Sequence, residues 1–325
     1  MLAIITGANG FIGSNLSRRL ASDGWRVTGI VRKTSDLSFL RGIEMELIDA
    51  GLEDAGVLGR AFAGADVVFH CAARASDWGS MEVFRRSNVD ATRHVLDAAA
   101  KAAVRRIVFI SSTVVYGFGG HVDTDESAPK RPEPFPYCLT KLEAERLVEQ
   151  VARQHGIEFA IIRPGNVFGP NDRITMLRLL EFLKRRKFIY VNGGRPLTCP
   201  TCVENLVDAI VLAGTKREAA NEDFIITDGL RITWREYIEA ICRELGVTPP
   251  RLSVPGGPVY AAAALVESIW KAAGANDAPV ITRYRIGQVR RDYHFSIAKA
   301  RRLLGFEPKV NLDEAISRTV RWWKN

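Results

Sequence analysis

Leu2-Ala3-Ile4-Ile5-Thr6-Gly7-Ala8-Asn9-Gly10-Phe11-Ile12-Gly13 decides the fold. The apolar run that opens it reads as a buried strand. Glycines then fall at Gly7, Gly10 and Gly13, and Ser14 to Leu20 continues as a helix. Gly7 permits a tight turn, Gly10 lets backbone approach a phosphate, and Gly13 lets helix pack on strand. The helix N-terminus offers free N–H groups and a positive dipole end to a pyrophosphate. Glycines alone would mark a plain turn. Placed between a strand and a helix they mark a dinucleotide site, with Asn9, Phe11 and Ile12 on the same loop.

Outward from this turn, Arg26 to Val31 is a second strand, followed by Arg32 and Lys33. An acidic residue there would take the ribose hydroxyls of NAD, whereas arginine would pair with the extra phosphate of NADP. Arg32 therefore argues for NADP(H), and Asp36, a little late for the acidic role, keeps NAD(H) open. Met45 to Asp49, Asp66 to Ala73, Arg106 to Ser112 and Phe159 to Pro164 read as further strands. Asp49 is placed to accept from an adenine amino group, and the small Ala72 leaves room for a flat cofactor. A helical pattern runs from Met81 to Ala102, and a Pro- and Gly-rich loop from Gly117 to Pro136 leads into a helix from Tyr137 to Gln154.

Strand and helix alternate to about residue 170, which implies α/β architecture: a Rossmann-type doubly wound parallel sheet. Ligands bind at the carboxyl ends of such strands, where Arg32, Asp49, Ser112 and the glycine loop all fall. Helices at Met176–Lys187, Val203–Ala213, Thr233–Leu245, Val259–Ala273, Ile297–Leu304 and Leu312–Trp323 then dominate. The expected division is a dinucleotide-binding domain over 1–170, with 203–230 returning to it. A smaller, mainly helical substrate lobe takes 171–202 and 231–325.

The chain has 325 residues, 47% of them hydrophobic and 25% charged, a soluble globular balance. No apolar run is long enough to span a bilayer, although the Val259 to Ala273 helix is apolar enough to cover a lipid-like substrate or touch a membrane surface. The net charge of +8 sits in short clusters such as Lys184-Arg185-Arg186-Lys187, without a nucleic-acid motif, so no nucleic-acid partner is expected. Five scattered cysteines and the absence of a signal-like N-terminal segment point to reduced thiols and a cytoplasmic location. Cys199-Pro200-Thr201-Cys202 has redox or zinc spacing, but nothing completes four ligands, and no metal is expected. His70 is expected to be packed rather than catalytic, and Trp322-Trp323 to end a packed helix.

Tyr137 and Lys141 lie four apart on one helix face. An ammonium beside a tyrosine favours tyrosinate and would lower its pKa, which suits proton exchange with an alcohol or carbonyl. Tyr-x-x-x-Lys is a common string. Its weight comes from Ser111-Ser112 at an upstream strand end, where a hydroxyl can hold a substrate oxygen, and from the glycine loop before both.

With these residues in place the chain resembles the extended short-chain dehydrogenase/reductases over essentially its whole length. The matching stretches are TGANGFIG at Thr6 to Gly13, DVVFHCAA at Asp66 to Ala73, NVDATRHVLDAA at Asn88 to Ala99, FISSTVVYG at Phe109 to Gly117, YCLTK at Tyr137 to Lys141 and RPGNVFGP at Arg163 to Pro170. The resemblance implies Tyr137 as catalytic acid/base, Lys141 on the nicotinamide ribose, Ser112 as the catalytic hydroxyl and Asn88 as support for a helix kink and proton relay. It also implies that Pro164 to Val167 passes the nicotinamide, and that the chain is a homodimer through the Met81–Ala102 and Tyr137–Gln154 helices.

Within that group the chain looks more like the 3β-hydroxysteroid dehydrogenase branch than the sugar-nucleotide enzymes. Thr113 and Val114 stand where the dehydratases carry Asp-Glu. Thr198 stands where an arginine would meet a substrate diphosphate, with Arg195 a nearby substitute. Ser76-Asp77-Trp78-Gly79, Phe224 to Gly229, Ile281-Thr282-Arg283 and Arg291 to Phe295 resemble the hydroxysteroid branch. The expected activity is hydride transfer between nicotinamide and a hydrophobic secondary alcohol or ketone, sterol-like or acyl. A nucleotide-sugar 4-epimerase is the alternative. A non-catalytic dinucleotide sensor has no need of the Ser112, Tyr137 and Lys141 set.

Overall fold

The computed structural model describes residues 1–275 and 277–324. Seven strands form its central sheet: β1 (Leu2–Thr6), β2 (Arg26–Val31), β3 (Glu46–Asp49), β4 (Val67–His70), β5 (Arg106–Ile110), β6 (Glu158–Pro164) and β7 (Glu222–Ile226). All are parallel and lie in the order β7-β6-β5-β4-β1-β2-β3. The order reverses between β1 and β4, which makes the crevice at their carboxyl ends the place for a ligand.

Alternation along the strands divides the core into two layers. Ala3, Ile5, Val67, Phe69, Val108, Ile110, Ala160 and Ile162 face α1 (Phe11–Ser22), α7 (Val203–Thr215) and α11 (Ala298–Leu304). Leu2, Ile4, Val68, Ile107, Phe109, Phe159 and Ile161 face α2 (Ala55–Ala61), α4 (Ala91–Lys101) and α5 (Pro136–His155). Helices on both sides explain why the strands read as continuous apolar runs.

A third apolar cluster lies outside the sheet. Phe168, α6 (Met176–Lys184) and Tyr190 pack on α8 (Trp234–Leu245) and α12 (Leu312–Lys324). Thr233 and Glu236 close a capping box that starts α8. Beside this cluster α9 (Gly256–Ala272) packs on α10 (Arg283–Arg290), with Glu267 buried against Arg283 at 2.8 Å. Leu265, Ile269 and Trp270 of α9 face outward. No described helix is long and apolar enough to cross a membrane.

Two expectations need correction. The helix over Met81 to Ala102 is not continuous. Helix α3 (Met81–Arg85) passes into a π-helical turn at Arg86–Asp90 before α4 begins. The extra residue turns Asn88 inward onto the backbone of Arg74, a contact that periodicity does not encode. The Gly117 to Pro136 segment is not all loop either: His121–Thr124 pairs in parallel with Tyr293–Phe295.

Candidate active site

The turn after β1 has the shape its glycines suggest. Gly7 adopts φ +67, and a Cβ there would lie 2.8 Å from the Ala72 Cα at the end of β4. A side chain at Gly13 would strike the Gly7 carbonyl, so α1 crosses its own strand closely. Helix α1 starts at Gly10 with no side-chain cap and no acid in its first turn. Its first N–H groups, at Phe11 and Ile12, are thus left for an anion. Thr6 Oγ1 lies 3.4 Å from the Ala72 amide, tying β1 to β4 beneath the crevice. Asn9 reaches the Asp36 carbonyl at 3.5 Å. Arg32 is exposed at the end of β2, and Asp49 is exposed at the end of β3, opposite Val31. These residues fit a dinucleotide: a glycine cradle, an open helix end, and cations at the ribose edge.

Ser112 continues from β5 in extended conformation, and its Oγ lies 3.4 Å from the Val114 amide. It is also close enough to the Tyr137 hydroxyl to oppose the effect of burial on it. Helix α5 begins with Pro at its first turn, which places Tyr137 at the mouth of the crevice. Lys141, one turn on, is buried, and its Nζ donates to the Ile110 carbonyl at 2.5 Å and lies 4.4 Å from the centre of the Phe109 ring. Asn88 is buried between the Arg74 amide, at 2.7 Å, and Thr140 Oγ1, at 3.1 Å, so it joins the loop after β4 to the turn of α5 between Tyr137 and Lys141. Pro164 closes β6 and accepts from Thr113, and Val167 lies beside Thr201.

The electrostatics differ from the expectation. Burial pushes the Tyr137 hydroxyl up to about 12, and only the Ser112 hydroxyl opposes it. The Lys141 ammonium is turned toward Ile110 rather than the phenol, and burial lowers it to about 8. Lys141 Nζ is thus committed to the Ile110 carbonyl, and no hydrogen bond joins it to the Tyr137 hydroxyl among the described residues.

An apolar, largely aromatic cluster packs against Tyr137. Tyr284 packs edge-on against Tyr137 at 6.4 Å, Phe135 at 5.6 Å and Phe118 at 5.3 Å. Tyr293 stands behind Phe118 and bonds Thr113 at 3.1 Å.

Beneath the site lies a buried ionic cluster that sequence reading missed. Glu145, one turn beyond Lys141, accepts from Ser111 Oγ at 2.6 Å and from Arg163 at 2.8 and 2.9 Å. Arg163 also donates to Tyr116 at 2.8 Å and pairs with Asp223 of β7 at 2.6 Å. Lys130 stands 3.1 Å from Glu145. These cations hold the Glu145 carboxyl below its usual range despite burial. An arginine inside an otherwise apolar strand was the available signal.

Residues 3–227 match the NAD dependent epimerase/dehydratase family. The chain belongs to that family. Like other members it is an NAD(P)-dependent enzyme of the short-chain dehydrogenase/reductase type and takes a nicotinamide cofactor. Among its relatives is a 4-hydroxy-2-methyl-3-oxo-4-farnesyl-3,4-dihydroquinoline-1-oxide ketoreductase of Stigmatella aurantiaca, 30% identical over 97% of this chain and 95% of the relative. A 2-alkyl-3-oxoalkanoate reductase of Stenotrophomonas maltophilia is 27% identical over 98% of each. Of solved structures, MoeE5 in complex with UDP-glucuronic acid and NAD superposes with a TM-score of 0.79 at 26% identity, over 100% of this chain and 99% of that one. The UDP-glucose 4-epimerase of Thermotoga maritima shares the fold, with a TM-score of 0.81 at 24% identity over 100% and 99% of the two chains.

The remaining candidates fall outside the site. His70 is buried between Thr6 Oγ1, at 2.7 Å, and Thr92 Oγ1, at 2.9 Å, and burial lowers it to about 3, so it is a neutral packing residue. Cys199 and Cys202 are buried free thiols; burial lifts Cys199 to about 12, and Cys202 bonds Glu204 at 2.8 Å. Thr198 is buried against Asn166 at 3.1 Å. Trp323 packs on the α6–α8–α12 cluster.

Proposed function

We propose that the enzyme is an NADP(H)-preferring reductase of hydrophobic ketones, acting reversibly on the matching secondary alcohols. The observation that carries this reading is Tyr137 beside Ser112 at the end of β5, packed on the apolar cluster of Tyr284, Phe118 and Phe135. A nicotinamide bound in the crevice supplies or accepts the hydride. Ser112 holds the substrate oxygen. Tyr137 donates its proton to the developing alkoxide, or takes it from the alcohol in reverse, and Lys141 binds the ribose and links Tyr137 to a chain of hydroxyls. Asn88 holds α5 against the loop after β4 and so positions both. The apolar cluster beside Tyr137 suits an apolar substrate better than a sugar. The names of the ketoreductase and oxoalkanoate reductase relatives support the same substrate class. Exposed Arg32 supports NADP(H), and the cofactor-binding residues proposed are Gly7 to Gly13, Arg32, Asp49, Ala72, Tyr137, Lys141, Pro164 and Val167.

One observation favours the second reading, nucleotide-sugar epimerisation: a cleft of about 540 Å³ is lined by three arginines, Arg195, Arg290 and Arg291, with Gly120, Asn192, Pro196 and one carboxylate, Asp292, a net positive charge that suits a diphosphate. Purified enzyme separates the two. NADPH oxidation with long-chain 3-oxoacyl or steroid ketones, but no interconversion of UDP-sugars, is expected. Tyr137→Phe is expected to lower turnover at least about a hundredfold while NADPH still binds. Unchanged turnover in Tyr137→Phe would refute the mechanism, and UDP-sugar epimerisation would replace the substrate class.

A further inference from the structure

The segment after β2 carries two opposed cofactor signals, Arg32 and Asp36, and a third residue from far along the chain stands between them. Asp36 sits within reach of the glycine loop, since Asn9 bonds its carbonyl. Its carboxylate is already occupied. Oδ1 accepts from the Ser38 amide at 2.9 Å, and Oδ2 pairs with Nη1 of Arg173 at 2.6 Å. Arg173 also donates to Ser38 Oγ at 3.2 Å and stacks over the Phe39 ring at 4.2 Å.

Arg173 is brought here by an ordered loop. Asn15 of α1 holds the Pro170 carbonyl at 3.3 Å, and Asp172 accepts from the amides of Ile174, Thr175 and Met176 at 3.0, 2.9 and 3.0 Å. On the other side Arg18 donates to the Phe39 carbonyl at 3.3 Å. The guanidinium thus meets a prepared edge, flat on an aromatic ring and forked onto a carboxylate and a hydroxyl. Arg32 lies free of this arrangement: it is exposed, its amide and carbonyl bond Ser35 while its guanidinium makes no hydrogen bond among the described residues, and no carboxylate among them pairs with it.

We infer that Arg173 is a cofactor-specificity residue that acts through Asp36, occupying the carboxylate that would otherwise bind the ribose hydroxyls of NAD(H) and repel the 2′-phosphate of NADP(H). The inference builds on the reading of Arg32 as a phosphate partner. Its own content is narrower: without Arg173 the loop behaves as an acidic, NAD-type loop. The carboxyl of Asp36 is held down at about 2 by the Ser38 amide and Arg173, so it is a full anion at any working pH and needs a cation to be silent. Because the pair is exposed, its effect is modest and sensitive to salt.

Fluorescence titrations of NADPH and NADH against wild type, Arg173→Ala, Asp36→Asn and the double variant test it. Arg173→Ala is expected to weaken NADPH and tighten NADH, moving the affinity ratio toward NADH about three- to tenfold. In the Asp36→Asn background the same substitution is expected to move the ratio less than about twofold, because no carboxylate is left to release. An unchanged ratio in Arg173→Ala overturns the inference. An equal shift in both backgrounds also overturns it, since Arg173 would then touch the phosphate directly. A wild type that prefers NADH while Arg173→Ala still tightens NADH refutes only the reading of Arg32. Matched melting temperatures of the four proteins confirm that the ratios compare folded states.

Discussion

Arg163 and Arg173 each hold a carboxylate across two separate segments of chain, one beneath the catalytic strand and the other over the cofactor edge. Arg163 and Glu145 are fully buried, and Ser111, Tyr116, Asp223 and Lys130 complete their partners. Arg173 and Asp36 are more than half exposed and lean on Ser38 and Phe39. The same ion pair therefore does two jobs. In the low-dielectric interior, loss of one member strands a charge, so the buried cluster fixes geometry. At the surface water and salt screen the loss, so the exposed pair contributes little to holding the fold and is free to serve the preference proposed above.

Glu145→Ala is the strongest way to break this contrast. It leaves Arg163 buried with only Asp223 for charge compensation and is expected to lower stability by about 3–5 kcal/mol in urea unfolding. Acid is the next lever. The Glu145 carboxyl lies below its usual range in the folded enzyme, so its contribution is complete above about pH 4.5 and is lost as pH falls through the folded value. His70 adds to the same limb. Its imidazole is held neutral down to about 3, so stability falls as pH drops from about 6.5 toward 3. Melting temperatures read from pH 7 to pH 3 are expected to decline throughout, with a shallower slope below pH 4.5 in Glu145→Gln. Tyr116→Phe removes one acceptor from Arg163 and is expected to cost about 1–3 kcal/mol. Arg173→Ala closes the series: less than about 1 kcal/mol in unfolding, with any difference from wild type gone in 1 M salt.

The contrast also separates what the sequence shows from what it hides. All seven strands were legible, β4 three residues too long at its end, and for six of them the reason is that buried parallel strands are apolar throughout; the edge strand β3, exposed over most of its length, is the exception. The Gly7 to Gly13 turn, Ser112, Tyr137 and Lys141 were legible because each follows a strand end or opens a helix. The tuning of Tyr137 was not, since i, i+4 spacing shows that Lys141 shares its face but not that its ammonium turns to Ile110. Glu145 lay one turn further on and was readable as a third residue of that face. Arg173 was not readable at all. It stands 137 positions from Asp36, and only the folded chain brings them together. The break at Asn88 was implied only by the family resemblance, since its cause, the backbone of Arg74, lies on a separate loop.

The position of β7 sets an order of assembly. A ribosome delivers residues 1 to 164, enough for six strands, well before Glu222 to Ile226 exist, and until then β6 is an open sheet edge. Arg163 spends that interval without Asp223, its second carboxylate. The nascent chain is thus most exposed to strand-to-strand aggregation while the lobe segment between β6 and β7 is being made. Slower synthesis across residues 165 to 221 would lengthen that window, and β7, once docked, covers β6 and becomes the sheet edge in its place.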